Sequence, residues 1–148
     1  MGSILNESDR TALISRINSL TDSSTARWGR MDVVGMLQHL RLSTQMALGE
    51  LPVVCKNKRP FQMFPLKHLI LYVLPFPKGA PTAGELYPDG TSSFDEERAT
   101  VVNLLQKIGT GPADGMGPAH PLFGPLSRRE WGVATYKHVD HHLKQFGA

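Results

Sequence analysis

Histidines are concentrated near the end of the chain, where the stretch YKHVDHHLKQF contains three of the six in the protein. An α-helix advances about 100° per residue, so positions four apart differ by only about 40°. His138 and His142 are four apart and should project from one helix face. His141 lies about 100° from His142, and we expect it on the wetter side near Lys137 and Lys144.

The face shared by His138 and His142 also carries Trp131 and Phe146, so it should point into the protein. Buried imidazoles are costly unless their polar atoms are satisfied. Neutral imidazole is a good ligand for zinc, nickel, copper and iron, so a divalent metal would satisfy both rings. A hydrogen-bonded pair without metal is the alternative, and the spacing alone leaves both interpretations open.

His39 is the candidate for a third ligand. It lies in the middle of the helical stretch VVGMLQHLRLSTQM, and the small residues Gly35 and Ser43 on its face leave room beside the ring. A single histidine on an apolar face is usually a hydrogen-bonded core residue. Because helical bundles often build metal sites from facing helices, an inward pair on another helix makes His39 a candidate ligand.

The other chemically active side chains carry weaker signals. His68 lies on a short apolar stretch, where packing is the favoured interpretation. His120 precedes Pro121 in a loop before the last helix, and it could reach the mouth of a site or hydrogen-bond the backbone. It is the nearest candidate for a catalytic acid or base. The single cysteine, Cys55, has no evident partner base and is interpreted as an ordinary thiol.

Metalloprotease signatures are absent from the last helix. In H-E-x-x-H the first histidine is followed by glutamate, but residue 139 is Val. In the inverted form H-x-x-E-H the glutamate position is occupied by His141. The sequence therefore argues against a protease.

Helical periodicity dominates the first third of the chain. The stretch NESDRTALISRINSL predicts a helix with an apolar stripe, which Asn6 or Ser8 can cap. A second helix should begin after Asp32, as its N-cap, and run to about Leu48, with Gly49 as the stop signal.

Two capping boxes mark the later helices. Ser93 with Glu96 opens a third helix, which Gly109 should end, and Ser127 with Glu130 opens the last. We expect a core that contains these residues: Leu13, Ile17, Leu40, Leu104, Ile108, Trp131 and Phe146. The pattern predicts an all-α four-helix bundle, with residues 1–148 forming a single domain.

A long proline-rich connection joins the second and third main helices. Seven prolines fall between Leu51 and Gly90, and proline breaks long helices. One short helix from Pro65 to Leu74 is expected there.

Charge and hydropathy narrow the partners and the location. The formal charge is +3 with interspersed signs, and the one basic cluster, at Lys56, Lys58 and Arg59, is interpreted as a solvated loop. A nucleic-acid partner is therefore not expected. The N-terminus has no apolar signal region, and the most apolar run, LKHLILYVLPF, is about half the length needed to cross a bilayer. We expect a cytoplasmic protein that is not in a membrane; a homodimer is left open.

The stretches ARWGRMDVVGMLQHL and HPLFGPLSRREWGVATYKHVDHHLKQF together resemble the DUF1569 proteins. That family belongs to the DinB/YfiT-like superfamily of metal-dependent four-helix bundles. The resemblance extends from about Trp28 to Phe146 and is strongest at the C-terminal end. In the superfamily, one metal ligand comes from the second helix and two come from an H-x3-H on the last.

Carried over, this resemblance implies the metal ligands His39, His138 and His142, the trio that helix geometry also selects. It implies a divalent transition metal, zinc or nickel. It also implies a small-molecule substrate and a low-molecular-weight thiol, because the superfamily includes thiol-dependent transferases and isomerases. The alternative is a non-enzymatic bundle that binds a metal or a small ligand.

Overall fold

The computed structural model describes residues 1–54, 59–112, 116–117 and 119–148. These residues form helices and connecting loops, with no β-strand among them, so the predicted all-helical class is confirmed. The helices are α1 (Glu7–Asn18), α2 (Val33–Ala47), α3 (Arg59–Gln62), α4 (Leu66–Tyr72), α5 (Phe94–Thr110) and α6 (Arg128–Gln145). A 3-10 helix, Gly84–Leu86, lies between α4 and α5.

Side-chain caps fix where the first two long helices begin. The Asn6 side chain accepts a hydrogen bond from the Asp9 amide, so Asn6 rather than Ser8 is the cap of α1. The Asp32 carboxylate accepts from the Gly35 amide at 2.7 Å and starts α2 as predicted. Each cap satisfies an amide that has no partner within the helix.

Both predicted capping boxes are confirmed. In α5 and in α6 the serine side chain accepts from the amide three residues on, and the glutamate accepts from the serine amide. At the start of α6, the Ser127 amide lies 2.8 Å from Glu130 Oε2. This start fixes the rotational phase of α6, which determines where its histidines point.

The four long helices share one core. Helix α5 packs against α1 and α2, and α6 packs against the same two helices. Every residue predicted for the core is buried, and Leu13, Ile17 and Leu40 have no exposed surface. Burial on the inward faces of these helices holds α2 and α6 side by side, which brings His39 to the H-x3-H face.

The predicted end of the third main helix is wrong. Helix α5 continues through Gly109 to Thr110, and Gly111 is its C-cap. Gly109 lies against the buried Arg10 guanidinium, which would overlap a Cβ atom at this position. Glycine is therefore present here for close packing rather than as a stop signal.

The proline-rich connection contains more helix than was predicted. Helix α4 is shorter than the expected Pro65–Leu74 helix, and both α3 and the 3-10 helix were missed. Helix α4 packs on α6 and the 3-10 helix packs on α2, so this connection covers the side of the molecule where His39 and His138 meet. His68, on α4, is exposed, and its ring packs edge-on against Phe64 and at a tilt against Tyr72.

Two further expectations concern the thiol and basic cluster of residues 55–59 and the absence of a membrane span. Cys55, Lys56 and Lys58 lie outside the described residues. In the part of the chain that the structure describes, each helix is too short or too polar to cross a lipid bilayer.

Candidate metal centre

Three histidines from two helices converge at one point. His39 Nε2, on α2, lies 2.9 Å from His138 Nε2 on α6, and His142 Nε2 lies 3.2 Å from the same atom. All three candidate ligand atoms lie within 4.8 Å of one another. Nitrogens bound at 2.0–2.1 Å to a tetrahedral ion lie about 3.3 Å apart, so small ring adjustments would place an ion between them.

The rings are arranged around a common centre. Their centroids are separated by 4.8 Å for His39–His138, 4.9 Å for His39–His142 and 4.8 Å for His138–His142. The interplanar angles are 84°, 72° and 77° in the same order. Three nearly equal separations place the rings around one point, where the candidate ligand nitrogens also converge.

A backbone carbonyl sets the tautomer of His39. Its Nδ1 lies 2.9 Å from the Leu86 carbonyl oxygen, on the 3-10 helix. A carbonyl oxygen can only accept, so Nδ1 carries the proton and donates it. Nε2 of His39 is therefore unprotonated in the neutral ring and presents a lone pair to the centre.

A side-chain amide sets the tautomer of His142 in the same way. Its Nδ1 lies 2.8 Å from Gln145 Oε1, and Gln145 Nε2 donates to the Trp28 carbonyl at 2.7 Å. That second bond orients the amide and makes Oε1 the acceptor for His142. Nε2 of His142 therefore also presents a lone pair.

With these tautomers, the three facing nitrogens do not have enough N–H donors to hydrogen-bond one another. The lone pairs of His39 and His142 both face Nε2 of His138, which can donate at most one proton. A hydrogen-bonded trio therefore leaves at least one nitrogen unsatisfied, whereas one cation satisfies all three. Outer hydrogen bonds to a carbonyl and an amide are also those that orient metal-bound histidines. The residues present thus fit a divalent transition metal.

The electrostatics keep the three rings neutral. Burial lowers the pKa of His39, and burial together with the neighbouring His142 and His39 holds the pKa of His138 well below its usual value. Burial lowers the pKa of His142 to about 3. Because only unprotonated imidazole binds a metal, these shifts favour ligation at neutral pH.

A cavity of about 570 Å³ opens beside the trio. Five of the six histidines line it, all except His68. The loop before α2, helices α2 and α6, and the proline-rich connection all contribute to its walls. The connection therefore closes one side of the candidate site.

His141 lies at this cavity and not on a fully wet face. It is half-buried, with its ring 5.8 Å from Trp28 and 6.2 Å from Phe76. Lys137, one helical turn before His141, directs its amine to the carbonyls at Ile70 and Leu74, on α4 and just beyond it. His141 is not part of the converging group of ligand atoms.

His120 lines the cavity and also hydrogen-bonds the backbone, so the two alternatives considered for it are both observed. Its Nδ1 accepts from the Leu122 amide at 3.1 Å and the Phe123 amide at 3.3 Å. Burial lowers its pKa to about 4. The ring is thus neutral at physiological pH with its proton on Nε2, so any proton exchange would have to use that atom. Its catalytic role stays a prediction.

Two residues that orient the candidate ligand histidines were not predicted from the sequence. Gln145 lies three residues after His142, a helical-neighbour spacing that could have identified it. Leu86 acts through its backbone carbonyl and is 47 positions from His39, so no local pattern marks it. Asp140 pairs with Lys144, one helical turn further on, at 2.7 Å, and it also pairs with Arg16.

The fold and the site together define an all-helical protein with a candidate three-histidine metal centre beside a cavity. The chain belongs to the DUF1569 family, described as a protein of unknown function, whose family model matches residues 4–148. No curated protein and no solved structure matches the chain. The resemblance to DUF1569 predicted from the sequence is therefore confirmed.

Proposed function

We propose that His39, His138 and His142 bind one divalent transition metal, zinc or nickel, and that the protein is a metal-dependent enzyme acting on a small molecule. The observation that carries this proposal is the convergence of three Nε2 atoms. Two of them are unprotonated, because Leu86 and Gln145 accept the Nδ1 protons of His39 and His142. A divalent ion with three histidine ligands retains an open position and lowers the pKa of a water or thiol there.

The finer assignment rests on the family resemblance. The four long helices are proposed to form a DinB/YfiT-like bundle, in which the superfamily places one ligand on the second helix and two on the last. Thiol-dependent transferase or isomerase chemistry, with a low-molecular-weight thiol as partner, follows by analogy with that superfamily. Function does not follow from fold alone, so the reaction needs its own test.

The metal site is tested by elemental analysis of the purified protein and of four single variants. The wild type should carry about one equivalent of metal, and His39→Ala, His138→Ala and His142→Ala should each lose most of it. His68→Ala is the matched control, because His68 is exposed on α4 and does not line the cavity. A wild type that stays metal-free after incubation with Zn²⁺ or Ni²⁺ would refute the site.

A binding protein without turnover is the second candidate. Two observations support this alternative. No Asp or Glu is found among the described residues that line the cavity, so no carboxylate there could act as an acid or base, and the lowered pKa of His120 makes its ring a weak base. The two candidates are separated by incubating metal-loaded protein with glutathione or cysteine and an alkylating electrophile. Metal-dependent formation of the thioether supports the enzyme, whereas tight capture without product supports the binding protein.

A further inference from the structure

The walls of the cavity differ sharply from its histidine end. Apolar side chains from five parts of the chain form them, including Met31, Met46, Phe76, Leu86 and Leu122. The proline-rich connection supplies the longest part of the wall, with residues 74–77 and 79–83. A ligand that fills the cavity therefore lies largely against apolar side chains.

Charged groups are nearly absent from this surface. Among the described residues that line the cavity, Arg30 alone carries a formal charge, and it is exposed. The nearest carboxylate on α6, Asp140, is paired with Arg16 and Lys144 and is not part of the lining. A cationic ligand would find no described carboxylate to replace its hydration.

Aromatic rings narrow the cavity next to the histidines. The Phe76 ring lies 6.0 Å from the His138 ring, and Trp28 lies 5.8 Å from His141. On another wall Trp131 lies 5.5 Å from His120. Flat or extended hydrocarbon groups gain dispersion contacts between such rings.

The volume sets the size of the ligand. About 570 Å³ is far more than one water or one small anion needs. It falls in the range of pockets that enclose most of a drug-sized molecule. A metal-binding head alone would leave most of the apolar wall in contact with water.

We infer that this site takes an apolar molecule with one metal-coordinating head, the head at His39, His138 and His142 and the hydrocarbon body along Phe76, Leu86 and Leu122. This inference rests on the proposed metal site. It adds that the body of the ligand is uncharged hydrocarbon, so a small polar thiol would be a co-reactant and not the molecule that fills the cavity.

A series of alkyl hydroxamic acids tests the inference, because the head is constant and only the body changes. Their dissociation constants for the Zn²⁺-loaded protein are measured by calorimetry, from acetohydroxamic to octanohydroxamic acid. Affinity should rise about fourfold for each added methylene that enters the cavity. 8-Amino-octanohydroxamic acid should bind at least about tenfold more weakly than octanohydroxamic acid, because its ammonium loses hydration without a partner.

Two phenylalanines on the same connection give a matched pair of variants. Phe76 lines the cavity, whereas Phe64 is 79% exposed and does not line it. Phe76→Ala should weaken octanohydroxamic acid by about tenfold and leave acetohydroxamic acid nearly unchanged. Phe64→Ala should change neither.

The outcomes separate this inference from the proposed function. Bound zinc with a chain-length series that is flat, or that favours the terminal ammonium, would overturn the inference and leave the metal site intact. Failure of the wild type to bind zinc in the same calorimeter would overturn both. A steep series that Phe76→Ala flattens and Phe64→Ala preserves supports the inference.

Discussion

Nδ1 of His142 lies 2.8 Å from Oε1 of Gln145, one turn further along α6. The same amide donates to the Trp28 carbonyl, and the Arg27 amide donates to the Gln145 carbonyl at 2.7 Å. Gln145 thus joins a candidate metal ligand to the loop that carries Trp28. Its amide can do both only in the orientation that leaves Nε2 of His142 unprotonated.

Removing this amide should weaken metal binding without removing a ligand. We expect Gln145→Leu to lower zinc affinity by about 10- to 100-fold, the usual effect of losing an outer hydrogen-bond partner. Competition with a chromophoric chelator measures it. Gln145→Glu keeps an acceptor for His142 and should lose less. Equal affinities for both variants and wild type would show that Gln145 does not orient His142.

His141 and His142 provide a test of the helix phase. They are adjacent on α6, and their ring centroids are 5.2 Å apart, yet only His142 belongs to the converging group. His141→Ala should therefore retain the metal, whereas His142→Ala should lose it. Elemental analysis gives the stoichiometry and circular dichroism checks the fold. The opposite result would mean that the rotational phase of α6 is wrong.

Acid should destabilise the metal-free protein. Burial holds the pKa of His120 at about 4 and that of His142 at about 3, below the usual 6.5 or so. As pH falls below about 6.5, the unfolded chain takes up these protons first, which favours unfolding. His120 alone should contribute a loss of up to about 3 kcal/mol between pH 6.5 and 4.

Urea denaturation at several pH values measures this slope. His120→Asn should flatten it by about one proton, or about 1.4 kcal/mol per pH unit. A slope that His120→Asn does not alter would show that His120 titrates normally in the folded state.

The capping serine of α6 has a predictable effect on stability. Ser127→Ala removes the hydroxyl that accepts from the Glu130 amide at 3.2 Å and should lower the free energy of unfolding by about 1 kcal/mol. Chemical denaturation checks it, and Ser93→Ala, at the equivalent position of α5, should behave alike. No change in either variant would place the helix starts elsewhere.

Gly109→Ala should destabilise the protein, although alanine is favoured over glycine in helices by about 1 kcal/mol. The new methyl group would displace the Arg10 guanidinium, which donates to the Ile4 carbonyl at 3.0 Å and to Gln106 Oε1 at 3.1 Å. Loss of these bonds should outweigh the gain, for a net cost of about 1–2 kcal/mol.

Gly84→Ala is the control for this substitution, because an added Cβ there meets no atom within 4 Å. Its unfolding free energy should stay within about 0.5 kcal/mol of the wild type. A more stable Gly109→Ala variant would show that Arg10 can move aside freely and that α5 tolerates a side chain at this position.

The sequence by itself determined what depends on near neighbours. Capping boxes at Ser93 and Ser127 act over three residues, so their chemistry is complete in the local chain. The common direction of His138 and His142 follows from helix geometry alone. The ion pair of Asp140 with Lys144 is also a one-turn relationship, which the four-residue spacing favours.

Only the tertiary structure decided how these pieces meet. His39 and His138 are 99 positions apart, so the sequence could name His39 only as a candidate partner, and it is the packing of α2 against α6 that brings the two rings together. Gly109 was taken as a stop signal because its partner, Arg10, lies on another helix. His141 was expected on the wetter side of α6, and it is half-buried because the proline-rich connection, whose course no periodicity predicts, brings Phe76 beside it. Long-range packing sets the cavity, and no local pattern encodes it.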